Sequence, residues 1–353
     1  MYLFWMLLLV HHVLQQPNGC FACVEQEKIA LLDIKSAFTR QEINADPYSI
    51  FESWNKNMEC CSWDRVHCSP TTKHVRSLDL HDSIYSYGYT LNISLFLPFR
   101  ELRSLTLSYN YFNNCIPSNS FGRMAKLDNL EYLDLSGNYF DFKALSSLAA
   151  LGSLKALSLR DFWMENEFFT NGSLNVHKQS QMISELLINV VVALSKLSKL
   201  KYLDLSGNYL NGTIIPYLGG ISSLKTLDLT NNNMNEGLDH LNAYQLWSNM
   251  SKLDNLYLLG NSLNGMKIIP FLIIAPSLKT LDLSDNNMEG SLSFKACQAL
   301  SNMSRLENLY LSWNSLNEKI IPCLVGASSL KSLDLFQNKL GERFSLKGLV
   351  KYE

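Results

Sequence analysis

The stretch LKTLDLTNNNM, Leu224 to Met234, decides the fold. Its apolar residues Leu224, Leu227, Leu229 and Met234 point inward, while Lys225, Thr226, Asp228 and Thr230 point out, the pattern of one short strand. Asn232 follows where the strand has to turn. An amide there can donate and accept at once, so it can satisfy turn backbone groups that would otherwise be buried and unpaired. The same L-x-x-L-x-L-x-x-N-x-L unit recurs nine times between residues 102 and 340. Asn110, Asn138, Asn208, Asn232, Asn261, Asn286, Asn314 and Asn338 hold the Asn place, and Phe162 takes it once.

Most steps between those positions are 24 to 29 residues, a period that specifies a leucine-rich solenoid. Stacked in parallel at roughly 4.8 Å per strand, about ten coils make a sheet about 45 Å long. The fold class is therefore an α/β repeat, a right-handed leucine-rich-repeat solenoid with a curved parallel sheet on its concave face. Such faces are what solenoids use to bind. The eight asparagines are read as a structural ladder. The array grew by copying coil pairs, since SLKTLDLTNNNMNEG from Ser223 recurs as SLKTLDLSDNNMEGS from Ser277. Residues 75–340 hold about ten coils. Within them 163–198 breaks the period and is a degenerate repeat, the preferred reading, or an inserted loop. Residues 341–353 form an incomplete last repeat with no C-terminal cap, which points to a fragment or a truncated product.

The start, MYLFWMLLLVHHVLQQPNG, has an apolar run from Tyr2 to Val10 followed by polar residues, short for a membrane span and suited to a signal peptide over residues 1–22. No later apolar stretch reaches ~20 residues, so nothing here spans a membrane. Five Asn-x-Ser/Thr sequons, at Asn92, Asn171, Asn211, Asn249 and Asn302, support passage through the secretory pathway. The 353 residues are 47% hydrophobic with a formal charge of -2. That balance, without a block of like charges, disfavours a nucleic-acid partner.

Residues 23–74 read as an N-terminal cap. EQEKIALLDIKSAF has a helix-like pattern, with Ile29, Ala30, Leu32, Ile34, Ala37 and Phe38 as its apolar residues. Such a helix would cover the first coil's open edge, pinned by disulfides. The favoured pairs are Cys23 with Cys60 and Cys61 with Cys68, although three connectivities are open to those four. A zinc site from Cys60, Cys61, His67, Cys68 and His74 is disfavoured because adjacent cysteines are poorly spaced for one tetrahedral centre. No metal or cofactor is expected. Cys297 and Cys323 sit in matching places on consecutive coils, where a disulfide and two buried thiols are equally open.

The cap sequences SWN, CCSW and VHC within Ser53 to Cys68, followed by VRSLDL at Val75, resemble those of plant leucine-rich-repeat receptor-like proteins. NYLNGTIIP from Asn208 to Pro216 resembles the tail of their coils, and Arg65 stands where their cap has a glycine. The resemblance implies an extracellular recognition module that binds a peptide, glycan or protein ligand for defence or developmental signalling. It would act through a co-receptor or adaptor kinase, on the outer side of the plasma membrane or in the apoplast. The alternatives are a soluble secreted inhibitor of cell-wall-degrading enzymes and a truncated decoy.

If the concave face binds, its late coils are the candidate surface, because Tyr257, Leu259, Tyr310, Trp313 and Phe336 point outward there and aromatic clusters are enriched at interface hot spots. Earlier coils show Lys155, Arg160, Lys201, Lys225 and Lys279 against Asp134, Asp204, Asp228 and Asp282, a mixed-charge stripe read as solvated surface. Each Asp recurs at one strand position, and no P-loop, H-E-x-x-H or G-x-S-x-G element is present, so no enzyme is expected.

Overall fold

The computed structural model describes residues 23–39, 50–84, 88–116, 120–162, 176–236, 250–264 and 277–341. The signal-peptide segment, the sequons at Asn171 and Asn249, and the last partial coil beyond Gly341 lie outside them.

The cap helix α1 (Glu25–Thr39) presents Glu27, Ala30, Leu31, Ile34 and Phe38 to the interior. These are spaced at helical intervals. Ile29, expected on that face, is instead 52% exposed. Phe38 meets Phe51, Tyr89 and Phe112 at ring-centroid distances of 6.1, 6.0 and 6.1 Å, so α1 plugs the open end of the first coil. Glu27, 1% exposed, accepts the backbone N–H of Val75 at 2.7 Å and lies 2.9 Å from His74 Nδ1. A carboxylate thus stitches the helix to the first parallel strand. The bonds Cys23–Cys60 and Cys61–Cys68 close the cap. Arg65 holds a left-handed backbone, φ 65°, which explains why a glycine suits that place. Its guanidinium donates to the His81 carbonyl at 2.6 Å.

One eleven-stranded sheet runs the length of the described chain. Strand β1 (Val66–Cys68) pairs antiparallel with β2 (Val75–Asp79). From β2 onward every pairing is parallel, through β3 (Ser104–Thr106), β4 (Tyr132–Asp134), β5 (Ala156–Ser158) and β6 (Tyr202–Asp204). The sheet continues through β7 (Thr226–Asp228), β8 (Asn255–Tyr257), β9 (Thr280–Asp282), β10 (Asn308–Tyr310) and β11 (Ser332–Asp334). Each central leucine faces the next, as in Leu203↔Leu227, so the leucine rows fuse into one core.

The asparagines form the expected ladder. Asn286 donates Nδ2 to the carbonyls of Leu258, Leu283 and Ser284 at 2.9, 3.0 and 2.9 Å. Its Oδ1 accepts the N–H groups of Asn261 and Leu263 at 3.1 and 2.8 Å. Asn110, Asn138, Asn208, Asn232, Asn261, Asn314 and Asn338 each donate in the same way to a carbonyl of the preceding coil.

The period break is resolved against the preferred degenerate coil. Strand β5 pairs directly with β6, Leu157 facing Leu203, so the insertion adds no rung to the sheet. It supplies helix α2 (Val176–Leu194) instead. Ile183, Leu187, Val190, Val191 and Leu194 are buried at helical spacing, and this stripe is what makes the segment a helix. With Phe142, Leu159 and Phe162 the helix encloses a small apolar cavity, and the aromatic ring that replaces a ladder asparagine serves as its wall. On the convex side Cys297–Cys323 joins α3 (Phe294–Ser301) to α4 (Ile321–Gly326).

Candidate functional site

The strand register sorts the outward residues into rows that cross the coils. The fifth repeat position begins Asp79, Thr106, Asp134, Ser158, Asp204 and Asp228, then alternates Tyr257, Asp282, Tyr310 and Asp334. Two residues on lie Leu259, Ser284, Ser312 and Phe336, and the next place holds Gly260, Asp285, Trp313 and Gln337. Side chains from these three rows line one open depression of about 670 Å³, formed by Leu259, Asp282, Ser284, Asp285, Tyr310, Ser312, Trp313 and Asp334. Trp313 and Phe336 stand at its rim, 59% and 62% exposed, with their rings edge to face at 6.1 Å. Of the five candidate residues, Leu259, Tyr310 and Trp313 therefore share the depression, and Phe336 touches Trp313. Tyr257 sits one strand away, opposite Asp282.

The carboxylates of this face, read from the repeat as a solvated stripe, have a structural part that the repeat did not show. Asp134, Asp204, Asp228, Asp282 and Asp334 each accept, at 2.9 Å, the N–H two residues on, from Ser136, Ser206, Thr230, Ser284 and Phe336. Each caps the end of its own strand. Asp204 and Asp228 are only 8% and 3% exposed, so the earlier coils do not carry a fully solvated charge stripe. Side chains one coil away cover them. Burial pushes the Asp204 carboxyl above its ordinary value, with Asp228 adding to the shift, and burial does the same to Asp282 against its bonds to Ser284. Burial followed by nearby carboxylates also raises the Tyr132, Tyr202 and Tyr257 hydroxyls, which stay neutral donors.

A second row explains the rim. The residue before each ladder asparagine, and before Phe162 in its place, has positive φ, including Tyr109 (57°), Asp161 (47°), Asn231 (54°), Asp285 (51°) and Trp313 (56°). Glycines hold the place at Gly137, Gly207 and Gly260, and the side chains of Tyr109, Asp161 and Asn231 lie across them. The alternation of large residue and glycine is visible in the sequence and could have located this row. Tyr109 donates to Asp161 Oδ2 at 3.0 Å, and burial followed by that bond pushes its hydroxyl up to about 12. A tryptophan at such a φ is sparsely populated. Trp313 is held out from the sheet at a backbone cost, as side chains at binding sites often are.

The sequons within the described residues differ in access. Asn302 is exposed at the end of α3, and Asn92 uses Oδ1 to accept the Ser94 N–H at 3.0 Å, leaving Nδ2 for a sugar. Asn211 is 3% exposed, with its N–H donating to Ser184 of α2 at 2.8 Å. A glycan has no room there while α2 is docked, and Asn211 leaves the expected set. Cys115 is buried.

A leucine rich repeat N-terminal domain model matches residues 24–69, and Leucine Rich Repeat models match residues 129–151, 199–221, 275–291 and 305–327. Receptor like protein 21 of Arabidopsis thaliana is 32% identical over 229 residues, which cover 60% of this chain and 22% of that protein. Putative receptor-like protein 8 of the same plant is 34% identical over 214 residues, covering 60% and 19%. Cuscuta receptor 1 of Solanum lycopersicum is 31% identical over 232 residues, covering 61% and 20%. The matches thus span about 20% of the length of these relatives. Among solved structures, the Arabidopsis receptor kinase HAESA, in complex with the peptide hormone IDA and the co-receptor SERK1, shares the fold. Its TM-score is 0.50 at 21% identity, over 90% of this chain and 50% of that one. With its sealed cap and its asparagine ladder, the chain is a leucine-rich-repeat solenoid, similar over its matched part to plant receptor-like proteins.

Proposed function

We propose that this chain is a ligand-recognition module of an extracellular receptor-like protein, seating a peptide or protein segment in the concave depression between β8 and β11. The single observation that carries the reading is the convergence of Leu259 from one coil with Tyr310 and Trp313 from another on one open depression. Its lining combines the apolar and aromatic Leu259, Tyr310 and Trp313 with the carboxylates Asp282, Asp285 and Asp334. A side chain with an apolar stem and a cationic head suits both features, since the stem covers ring surface while the head meets carboxylates and ring faces. An arginine or lysine of a peptide fits that description better than a neutral sugar.

The finer parts of the reading follow the relatives. Two of the relatives are named as receptor-like proteins, and HAESA was solved with a peptide hormone and a co-receptor. Binding on the concave face, followed by recruitment of a co-receptor or adaptor kinase in defence or development, is the role this module would serve at the cell surface or in the apoplast. The test is retention of a randomised ten-residue peptide library on the full chain, compared with the Trp313→Ala/Phe336→Ala double variant. Retained peptides rich in Arg, Lys and aromatic residues on the parent, lost on the variant with thermal melting unchanged, support the site. Equal retention on both proteins sinks it.

A further inference from the structure

The second repeat position forms a charged row along one margin of the concave face. In coil order it holds Arg76, Arg103, Glu131, Lys155, Lys201, Lys225, Asp254, Lys279, Glu307 and Lys331. The backbone fixes these as neighbours. The N–H of Lys155 donates to the Glu131 carbonyl, that of Lys201 to Lys155, that of Lys225 to Lys201 and that of Asp254 to Lys225, each at 2.8 Å. Charge in this row is compensated coil by coil. Glu131 holds Lys155 at 2.9 Å and Arg103 at 3.7 Å, and Asp254 holds Lys279 at 3.3 Å and Lys225 at 3.7 Å. Glu307 holds Lys331 at 3.1 Å, and Arg76 reaches Glu101 at 3.7 Å.

Lys201 is the exception, an exposed ammonium that makes no ion pair among the described residues. A lysine stands on each side of it in the row, and the turn before β6 adds exposed Lys196 and Lys199. The nearest concave carboxylates give no relief. Asp204 is committed to Ser206 and Ser158, and Asp228 accepts the Thr230 N–H. Like charges on adjacent strands are unfavourable, so an external anion there pairs with the one ammonium of the row that no carboxylate holds among the described residues, between two lysines that keep their own partners.

We infer that Lys201, flanked by Lys155 and Lys225, is an anion subsite that takes a single carboxylate of a peptide ligand. The inference rests on the reading of the concave face as the ligand surface. The row itself limits the anion's size. Glu131 and Asp254 close it off at both ends, four strand steps or roughly 19 Å apart, and a polyanion laid along the row meets their repulsion. One carboxylate between them does not. From β6 to β10 is again four steps, roughly 19 Å, and Trp313 lies six repeat positions further along its coil than Lys201. The two sites are therefore roughly 25 Å apart, and an extended peptide joins them in about eight residues. The favoured ligand carries its acidic group about eight residues from the basic or aromatic residue seated at Trp313.

The same library tests this, synthesised with amidated C-termini so that only Asp and Glu supply carboxylates, and read out on the full chain and on Lys201→Gln, Lys201→Glu and Lys201→Arg. The parent should enrich one acidic residue per peptide. That enrichment should fall about threefold with Lys201→Gln and about tenfold with Lys201→Glu, and return with Lys201→Arg. Lys201 is exposed, so the variants should melt like the parent. No acidic enrichment, enrichment that survives Lys201→Glu, or no retained peptide at all overturns the inference. So does preferential retention of a polyuronate chain offered in competition. Loss of acidic enrichment with basic and aromatic selection intact in Lys201→Glu separates this subsite from the depression. The reverse pattern, selection by Lys201 but not by Trp313, removes the depression and keeps the anion site.

Discussion

The inner and outer residues of each coil obey different rules. Leucines and ladder asparagines repeat with one geometry from β2 to β11, and most are fully buried. The outward rows change from coil to coil: the fifth position passes from the Asp and Ser of β4 to β7 to alternating Tyr and Asp in β8 to β11, with Trp313 and Phe336 added just beyond the late strands. What is constant makes the sheet, and what varies makes the depression and the unpaired lysine. The two classes should therefore fail differently when altered, one in stability and the other in binding.

The largest effect should come from the ladder. Asn286→Ala deletes three donated and two accepted hydrogen bonds within a buried turn, leaving backbone groups of two coils unpaired. A loss of about 4 kcal/mol is expected in chemical denaturation. Asn338→Ala should cost less than half as much, because that side chain is only half-buried and, besides donating to Leu311 and Leu335, accepts the single N–H of Leu316 where Asn286 accepts two. Equal losses at the two sites would mean that the ladder acts through something other than buried hydrogen bonds.

Next comes the left-handed row, where the two classes meet. Gly207→Val imposes a β-branched residue at φ 67° and drives its Cβ into Asp161 Oδ1. About 3 kcal/mol of destabilisation should follow, together with loss of the Tyr109–Asp161 bond that Asp161 makes from above the glycine. Trp313→Gly occupies the same row in a different coil and should behave oppositely. It relieves a strained φ of 56° and should change stability by no more than about 1 kcal/mol, in the stabilising direction. Peptide retention should nevertheless be lost. A variant that loses both stability and binding would make Trp313 a packing residue.

How much of this was legible in the sequence follows from the same division. The leucine and asparagine spacing specifies the sheet because each coil repeats it, and the outward aromatics are legible by parity along each strand. The insertion is not, because ISELLINVVVALSKLSKL is apolar enough for a buried strand or a helix, and only its docking against Phe142 and Phe162 selects α2. Phe162 in an asparagine place marks the break without saying what fills it. The acidic rim of the depression escaped for a related reason. Whether Asp204 or Asp282 is solvated depends on side chains one coil away, 24 to 46 residues off in sequence, and a single strand read alone shows every outward carboxylate as exposed. Charge compensation in the lysine row likewise exists only between coils.

The smallest effect concerns those buried carboxylates and is a matter of pH. Asp204 is 8% exposed and its folded value lies above the ordinary one near 4, raised first by burial and then by Asp228. A raised folded value means that the contribution of this group to stability is fully present below about pH 4. That contribution is lost as pH rises through the folded value. Asp204→Asn cannot ionise, and its amide oxygen can still accept the Ser206 N–H. Relative to the parent, the variant should gain on the order of 1 kcal/mol on going from pH 4 to pH 7, read as a growing difference between the two melting temperatures. Asp134→Asn supplies the comparison, since its row position and its bonds to Ser136 are the same while its side chain is less buried. If both variants respond alike, burial by neighbouring coils is not what distinguishes these aspartates, and the row should be treated as uniform strand caps.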